Sequence, residues 1–321
     1  MKLLELFGGI GACSSALDRL NINYEIVDYV EIDKYAVNSY NAIHNTNFKP
    51  QDVKEWNKKC NVDLLIHGSP CQDFSGAGKN KGGDENSCTQ SSLMYESIRI
   101  IEKIKPKIVI WENVKNVTNK IHMHNFFNYL KKMNDLGYNN SWNILNAKDF
   151  GIPQNRERMF VISIKSELNY TFMFPEKQPL HKKVQDLLEH NVDDKYLITD
   201  KMKHYIVSNN TKWSGNNNRS LINKTIASTI NTKEGGRRCD ASNFICDELN
   251  ENYDIKFIEN IERYKIRKLT PFECWRLMGF DDETFMKVKN VNSNTQLYKQ
   301  AGNSIVVDVL VAILRQLKGV L

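Results

Sequence analysis

The sequence predicts an α/β fold: a mainly parallel sheet covered on both faces, with an antiparallel hairpin at one edge and a smaller, loop-rich second domain. Three observations predict it. Short β-branched runs alternate with amphipathic helical stretches through the first half of the chain, the pattern of a sheet wound with crossover helices. A glycine-rich turn follows the first apolar run. From about residue 180 to 265 the helical periodicity fails and polar, turn-forming clusters recur. At 321 residues, 41% hydrophobic and 26% charged, the chain is large enough for one sizeable α/β domain plus a smaller one.

Residues 2–7 read as the first strand and are too short and too soon acidic for a signal peptide. Phe7-Gly8-Gly9-Ile10-Gly11 forms the turn into a helix over 12–20, and 24–30 form a second strand ending at Glu31. Glycines at such a turn let a cofactor approach the backbone, and an acid about 20 positions on can bind ribose hydroxyls. Ser14 stands where a dinucleotide fingerprint would have a third glycine, so the stretch points to a nucleoside cofactor without saying which. A tight turn with no ligand is the bland alternative. Residues 33–44 have helical spacing, and Asp52-Val53 opens a short segment.

The run 62–66 reads as a buried strand that stops at Gly68-Ser69-Pro70 and delivers Cys71. A thiol there sits at the carboxyl end of a sheet, where open α/β folds bind ligands; a buried structural cysteine is the alternative. The polar stretch 73–90 that follows is suited to close over an anion. A helix over 91–104 stops at Lys105-Pro106, and a strand over 107–111 leads into Glu112-Asn113-Val114. No turn residue separates that strand from Glu112, which argues for partial burial and a raised pKa, the usual condition of a catalytic acid. A helix over 124–136 ends at Gly137. Strands near 142–146 and 159–164 then flank Phe150-Gly151-Ile152-Pro153-Gln154-Asn155-Arg156-Glu157-Arg158.

The loop-rich segment reads either as a DNA-reading surface, with Arg and Lys for phosphates and guanine and Asn and Gln for adenine, or as a solvated insertion. Thr270 and Pro271 make a cap and first turn for a short helix. Gln300-Ala301-Gly302-Asn303-Ser304 precedes an apolar helix over 305–317, expected to return beside the first strand. Seven cysteines without a CxxC pair suggest free thiols in a reducing cytoplasm and no metal site. No apolar run approaches the roughly 18 residues of a membrane span. The net charge of +6 is compatible with a polyanion partner without demanding one.

Taken in order, these motifs resemble those of the bacterial and phage C5 cytosine-DNA methyltransferases, over nearly the whole chain except about 180–265. The resemblance rests on Phe7 to Gly11, Glu31 to Ala36, Gly68 to Gln72, Glu112 to Val114, Gln154 to Arg158, Arg267 to Phe280 and Gln300 to Ser304. It implies a Rossmann-like S-adenosylmethionine-dependent sheet. The cofactor would be S-adenosylmethionine, leaving as S-adenosylhomocysteine, held by Phe7, Gly9, Ile10 and Gly11, with Glu31 on the ribose and Ile32 against the adenine. Asp52 would face the adenine amino group, and Val53, Pro70, Asn303 and Ile305 would complete the pocket.

The same resemblance makes Cys71 the nucleophile that adds to carbon 6 of a flipped-out cytosine, so that carbon 5 becomes able to attack a methyl group. Glu112 would act at N3 and the exocyclic amine, and Arg158, with Arg156 alongside, would hold the carbonyl and steady the carboxylate. Ser75, Lys79, Thr229, Arg237 and Arg238 would contact DNA. The family usually carries an arginine where this chain has Gln90, which bears on rate. The implied partner is double-stranded DNA, acted on by a monomer; a separately acting cognate endonuclease is compatible with the resemblance, and no membrane is implied. A tRNA methylase of the same branch and a non-catalytic DNA-binding regulator are the alternatives. The implied domains are 1–178 with 291–321 for catalysis, 179–266 for target recognition, and 267–290 as a connecting hinge.

Overall fold

The computed structural model describes residues 1–70, 92–207, 221–236 and 243–321. Its first half contains β1 (Lys2–Leu6), α1 (Ala12–Arg19), β2 (Glu25–Val30), α2 (Lys34–His44), β3 (Leu64–His67), α3 (Leu93–Ile104), β4 (Ile108–Val114) and α4 (Met123–Asp135). There follow β5 (Tyr138–Asn146), the two-residue β6 (Gln154–Asn155) and β7 (Glu157–Lys165). Next come α5 (Asp200–Val207), β8 (Leu221–Ile222), β9 (Ala227–Ser228), β10 (Phe244–Ile245), β11 (Tyr253–Asp254) and β12 (Arg267–Lys268). The chain closes with α6 (Pro271–Arg276), α7 (Asp282–Val288), α8 (Asn294–Asn303) and α9 (Val307–Leu317).

Two compact units result: Met1–Asn146 with Glu157–Lys177 and Val307–Leu321, and Ala147–Arg156 with Gln178–Val306. The first holds a six-stranded sheet in the order β2-β1-β3-β4-β7-β5. The pairs among β2, β1, β3 and β4 are parallel, whereas β7 runs antiparallel to both β4 and β5. The hairpin strands are therefore β5 at the edge and β7 inserted between it and β4. The central strands are mostly buried, and Leu64–His67 wholly so, because helices cover both faces of a parallel sheet. Leu65, Val109, Trp111, Tyr129 and Val161 share one core.

Two differences from the sequence reading matter. β4 extends through Val114 because β7 pairs with it as far as Val114↔Arg158, so Glu112 and Asn113 lie within the strand. β5 begins at Tyr138; its polar residues Asn139, Asn140 and Ser141 hid it, since an edge strand keeps polar side chains toward water. The carboxyl-terminal helix α9 packs along α1, with Arg19 and Asp308 paired at 3.1 Å.

The second unit is built differently. Its strands are two residues long, pairing β8 with β11, β10 with β12 and β6 with β9. A modest core of Ile198, Met202, Ile222, Phe244, Ile255 and Ile266 lies among them. It also holds α5, a helix within the stretch read as helix-poor. The expected cap is present on α6: Glu273 N–H donates to Thr270 Oγ1 at 3.1 Å, the Glu273 carboxylate accepts from Thr270 N–H at 2.8 Å, and Pro271 opens the helix. By composition alone Asn294–Leu317 is long and apolar enough for a membrane span, contrary to the sequence expectation. It is two helices broken at 304–306, and most of it is buried.

Candidate active site

The turn after β1 has the backbone of a ligand cradle. Phe7 is left-handed at φ 54° although it carries a side chain, and Gly9 and Gly11 have φ 55° and 79°. Strain of this kind collects at functional sites. Gly11 has no room for a larger residue: a Cβ there would lie 2.3 Å from His44 Nε2. A Cβ on Gly9 would meet nothing within 4 Å, so the turn faces open space. Gly9 N–H donates to Glu31 Oε2 at 3.2 Å, and Asp33 N–H to Glu31 Oε1 at 2.8 Å. These bonds hold the β2-end carboxylate beside the glycine turn, and burial, working against them, moves the Glu31 pKa upward.

Ile32 next to it is 68% exposed, leaving an apolar face at the mouth of the turn. Gln51 N–H donates to Glu31 O at 2.8 Å, which brings Asp52 and Val53 to the same strand end. Ile10 and Val53 are buried. Beneath the turn Glu5 is buried and accepts hydrogen bonds from the Ser14 and Tyr40 hydroxyls. Removal from water pushes its pKa up to about 7. Ser14, the departure from a third glycine, is thus the partner of a buried carboxyl group.

A second cluster sits at the carboxyl ends of β3 and β4. Arg158 pairs in register with Val114, and Glu112 is two residues along the same strand, on the same face. A long side chain reaches that diagonal neighbour, and Arg158 Nε lies 3.2 Å from Glu112 Oε1. Both side chains are mostly sheltered, at 18% and 12% exposure. A Cβ on Gly68 would fall 3.6 Å from Glu112 Oε2, so the backbone three residues before Cys71 runs beside this carboxylate. Ser69 is held from two sides: Trp111 Nε1 donates to its Oγ at 3.2 Å, and Asn113 Nδ2 to its carbonyl at 3.1 Å. His67 stacks on Trp111 and bonds to the Tyr129 hydroxyl at 3.1 Å. Burial drives its pKa down to about 3, leaving a neutral ring at the last residue of β3.

Cys71, Ser75, Lys79, Gln90, Arg237 and Arg238 lie outside the described residues. Asn303 and Ile305 belong to the second unit. Thr229 donates its hydroxyl to Asn155 O at 2.7 Å. Arg156 is buried, and its guanidinium donates to the carbonyls of Ile230, Gly302 and Ser304 at 2.8, 3.0 and 2.8 Å. The sequence grouped Arg156 with Arg158; the structure puts them in different units and among different partners.

A mainly parallel sheet with one inserted reversed strand, a glycine turn answered by an acid on the next strand, and a sheltered Glu–Arg pair make this an α/β fold with its candidate site at the carboxyl edge of the sheet. The chain matches the C-5 cytosine-specific DNA methylase family over residues 1–319, and it belongs to that family; its activity is DNA cytosine-5 methylation. The Type II methyltransferase M2.ScrFI of Lactococcus lactis subsp. cremoris is 33% identical, over 99% of each chain. The orphan methyltransferase M.SPRI of Bacillus phage SPR is 29% identical, over 99% of this chain and 97% of its own. In fold, the chain is similar to the crystal structure of S. pombe Dnmt2 methyltransferase, with a TM-score of 0.78, 22% identity and 99% of each chain covered.

Proposed function

We propose that this chain methylates carbon 5 of a flipped-out cytosine in a short duplex DNA sequence by way of a covalent bond from Cys71 Sγ to carbon 6. S-adenosylmethionine, when bound, supplies an electrophilic methyl group on a sulfonium. The residues around the glycine turn suit it: Gly9 faces open space, the Glu31 carboxylate is available to ribose hydroxyls, and exposed Ile32 offers a surface to adenine.

The chemistry of cytosine explains the rest of the site. Carbon 5 is too weak a nucleophile until a thiolate has added to carbon 6. That addition pushes charge onto N3 and the carbonyl. Glu112 hydrogen-bonds N3 and the exocyclic amine, and Arg158 holds the carboxylate in place and faces the carbonyl. After methyl transfer the carbon 5 proton leaves and the thiolate is eliminated, restoring the ring and the free Cys71. The segment 179–266 supplies the sequence readers, with 214–220 and 229–240 as the principal loops. The protein works as a monomer in the cytoplasm of a bacterial or phage-infected cell.

The observation that carries this reading is the Glu112–Arg158 pair beside the strand end that leads to Cys71. Tritium transfer from labelled S-adenosylmethionine is expected with duplex DNA and absent with tRNA. Cys71→Ala should abolish both transfer and the covalent adduct with DNA containing 5-fluorocytosine. Full activity in Cys71→Ala would defeat the mechanism. Bisulfite sequencing of DNA from expressing cells gives the recognised sequence.

A further inference from the structure

We infer that Gln154 and Arg156 are positioning residues for DNA reading: together they clamp the main chain of Ile230 at the start of the 229–240 loop and tie it to the segment 302–304. The inference rests on the reading of that loop as a DNA reader.

Ile230 is gripped at both of its backbone polar groups. Its N–H donates to Gln154 Oε1 at 3.0 Å, and its carbonyl accepts from Arg156 Nη1 at 2.8 Å. Gln154 is anchored in turn through its Nε2, which donates to Leu277 O at 2.7 Å. The other arm of the Arg156 fork reaches Gly302 O and Ser304 O at 3.0 and 2.8 Å. Between these two side chains, Asn155 O accepts the Thr229 hydroxyl at 2.7 Å, and β6 pairs with β9 as Gln154↔Ala227 and Asn155↔Ser228. All of these residues lie in one unit.

The packing holds the described part of the loop, 230–236, closely. A Cβ on Gly302 would come within 2.4 Å of the Asn231 carbonyl carbon and the Thr232 nitrogen. Farther along, the buried Glu234 carboxylate accepts from Asn231 Nδ2 at 3.1 Å and from Asn243 Nδ2 at 3.0 Å. A planar guanidinium serves several acceptors in fixed directions, which a lysine ammonium reproduces only in part. Arg156 donates to main-chain carbonyls and is 3% exposed. Its chemistry is that of a brace for the loop that meets the bases, distinct from the group facing the reacting ring.

The test compares wild type, Arg156→Lys and Arg156→Met on a duplex carrying the wild-type site, mapped by bisulfite sequencing, and on duplexes with one base changed. Wild-type transfer to the mapped duplex is measured first and stands for the functional reading; only the variants relative to that rate speak to the clamp. Losing charge-assisted bonds from the brace should raise KM for DNA by about ten- to a hundredfold. It should also narrow the discrimination between mapped and altered duplexes, with Lys recovering part of what Met loses, while kcat at saturating DNA stays within about threefold. Gln154→Met keeps the side-chain volume and leaves Arg156 in place, so it provides the same readout should the arginine variants fail to fold. A fall in kcat with unchanged KM and discrimination would place Arg156 at the reacting base and overturn the inference. So would a reduced active fraction, by adduct titration, with unaltered discrimination, since that is the mark of a scaffold alone.

Discussion

The glycine turn with the Glu112–Arg158 pair and the loop system around Ile230 are held by opposite means. In the first unit Glu112 and Arg158 stand on long strands paired residue by residue, so the ladder places both side chains. Glu112 and Arg158 meet because β4 and β7 are in register from Ile108↔Ile164 to Val114↔Arg158. In the second unit the strands are two residues long and their ladders determine little. Side chains bonded to the main chain take over that task. Asn223 donates to the carbonyls of Cys246 and Leu249 at 2.6 and 2.7 Å and accepts from Cys246 N–H at 2.9 Å. Arg267 forms a two-pronged pair with buried Glu273, at 2.8 and 2.9 Å. A ladder tolerates the loss of one side chain. A side-chain brace does not.

That contrast can be broken or sharpened by experiment. The largest effect is expected from Glu112→Gln, which keeps the shape and removes the acid: kcat should fall by about a hundred- to ten-thousandfold. Because the ladder carries the fold there, its urea midpoint should barely move; a large loss of stability would contradict the comparison. Next is Arg267→Met. It strands a buried carboxylate, 1% exposed, and should destabilise by about 3–5 kcal/mol, with faster hydrogen exchange in the second unit. A midpoint shift below about 1 kcal/mol would show that the brace is dispensable.

Glu5 gives a pH test within the first unit. Its pKa rises from 4.5 to about 7 on folding, so the folded state holds a proton that the unfolded chain releases. The stability it lends is whole below about pH 4.5 and is lost as pH climbs to about 7, a change of about 3 kcal/mol. Glu5→Gln should flatten that slope in urea melts recorded across this range, and an unaltered slope would exclude Glu5 as its source. Smallest of all is Lys131→Ala. The Lys131–Asp135 pair is exposed, at 75% and 57%, and its loss should change stability by no more than about 0.5 kcal/mol.

Hydrophobic period was enough to read the elements that form the sheet. Leu64 to Ile66 and Ile108 to Trp111 announce buried strands because a parallel strand covered on both faces has almost nothing polar to show. The first half of β5 escaped for the converse reason. Glu112 and the glycine turn were legible because their residue types and positions at strand ends already limit what they can do. The Arg156 brace was not legible: its acceptors are main-chain carbonyls 74 to 148 residues away, and a carbonyl looks the same whatever side chain it carries. The Arg267–Glu273 pair was missed although the two residues are only six apart, because two charges in sequence carry no sign of burial.

By itself, then, the order of residues determined the alternation of strands and helices, the glycine turn with its answering acid, and a glutamate near the carboxyl end of β4. Those features depend on local periodicity and on the chemistry of single residues. Only the tertiary structure decided that β7 would enter between β4 and β5 and so set Arg158 against Glu112, and that Arg156 would turn to the loop at Ile230. Such pairings depend on which distant backbone groups are left to be satisfied once the chain is packed, and that is a property of the whole fold.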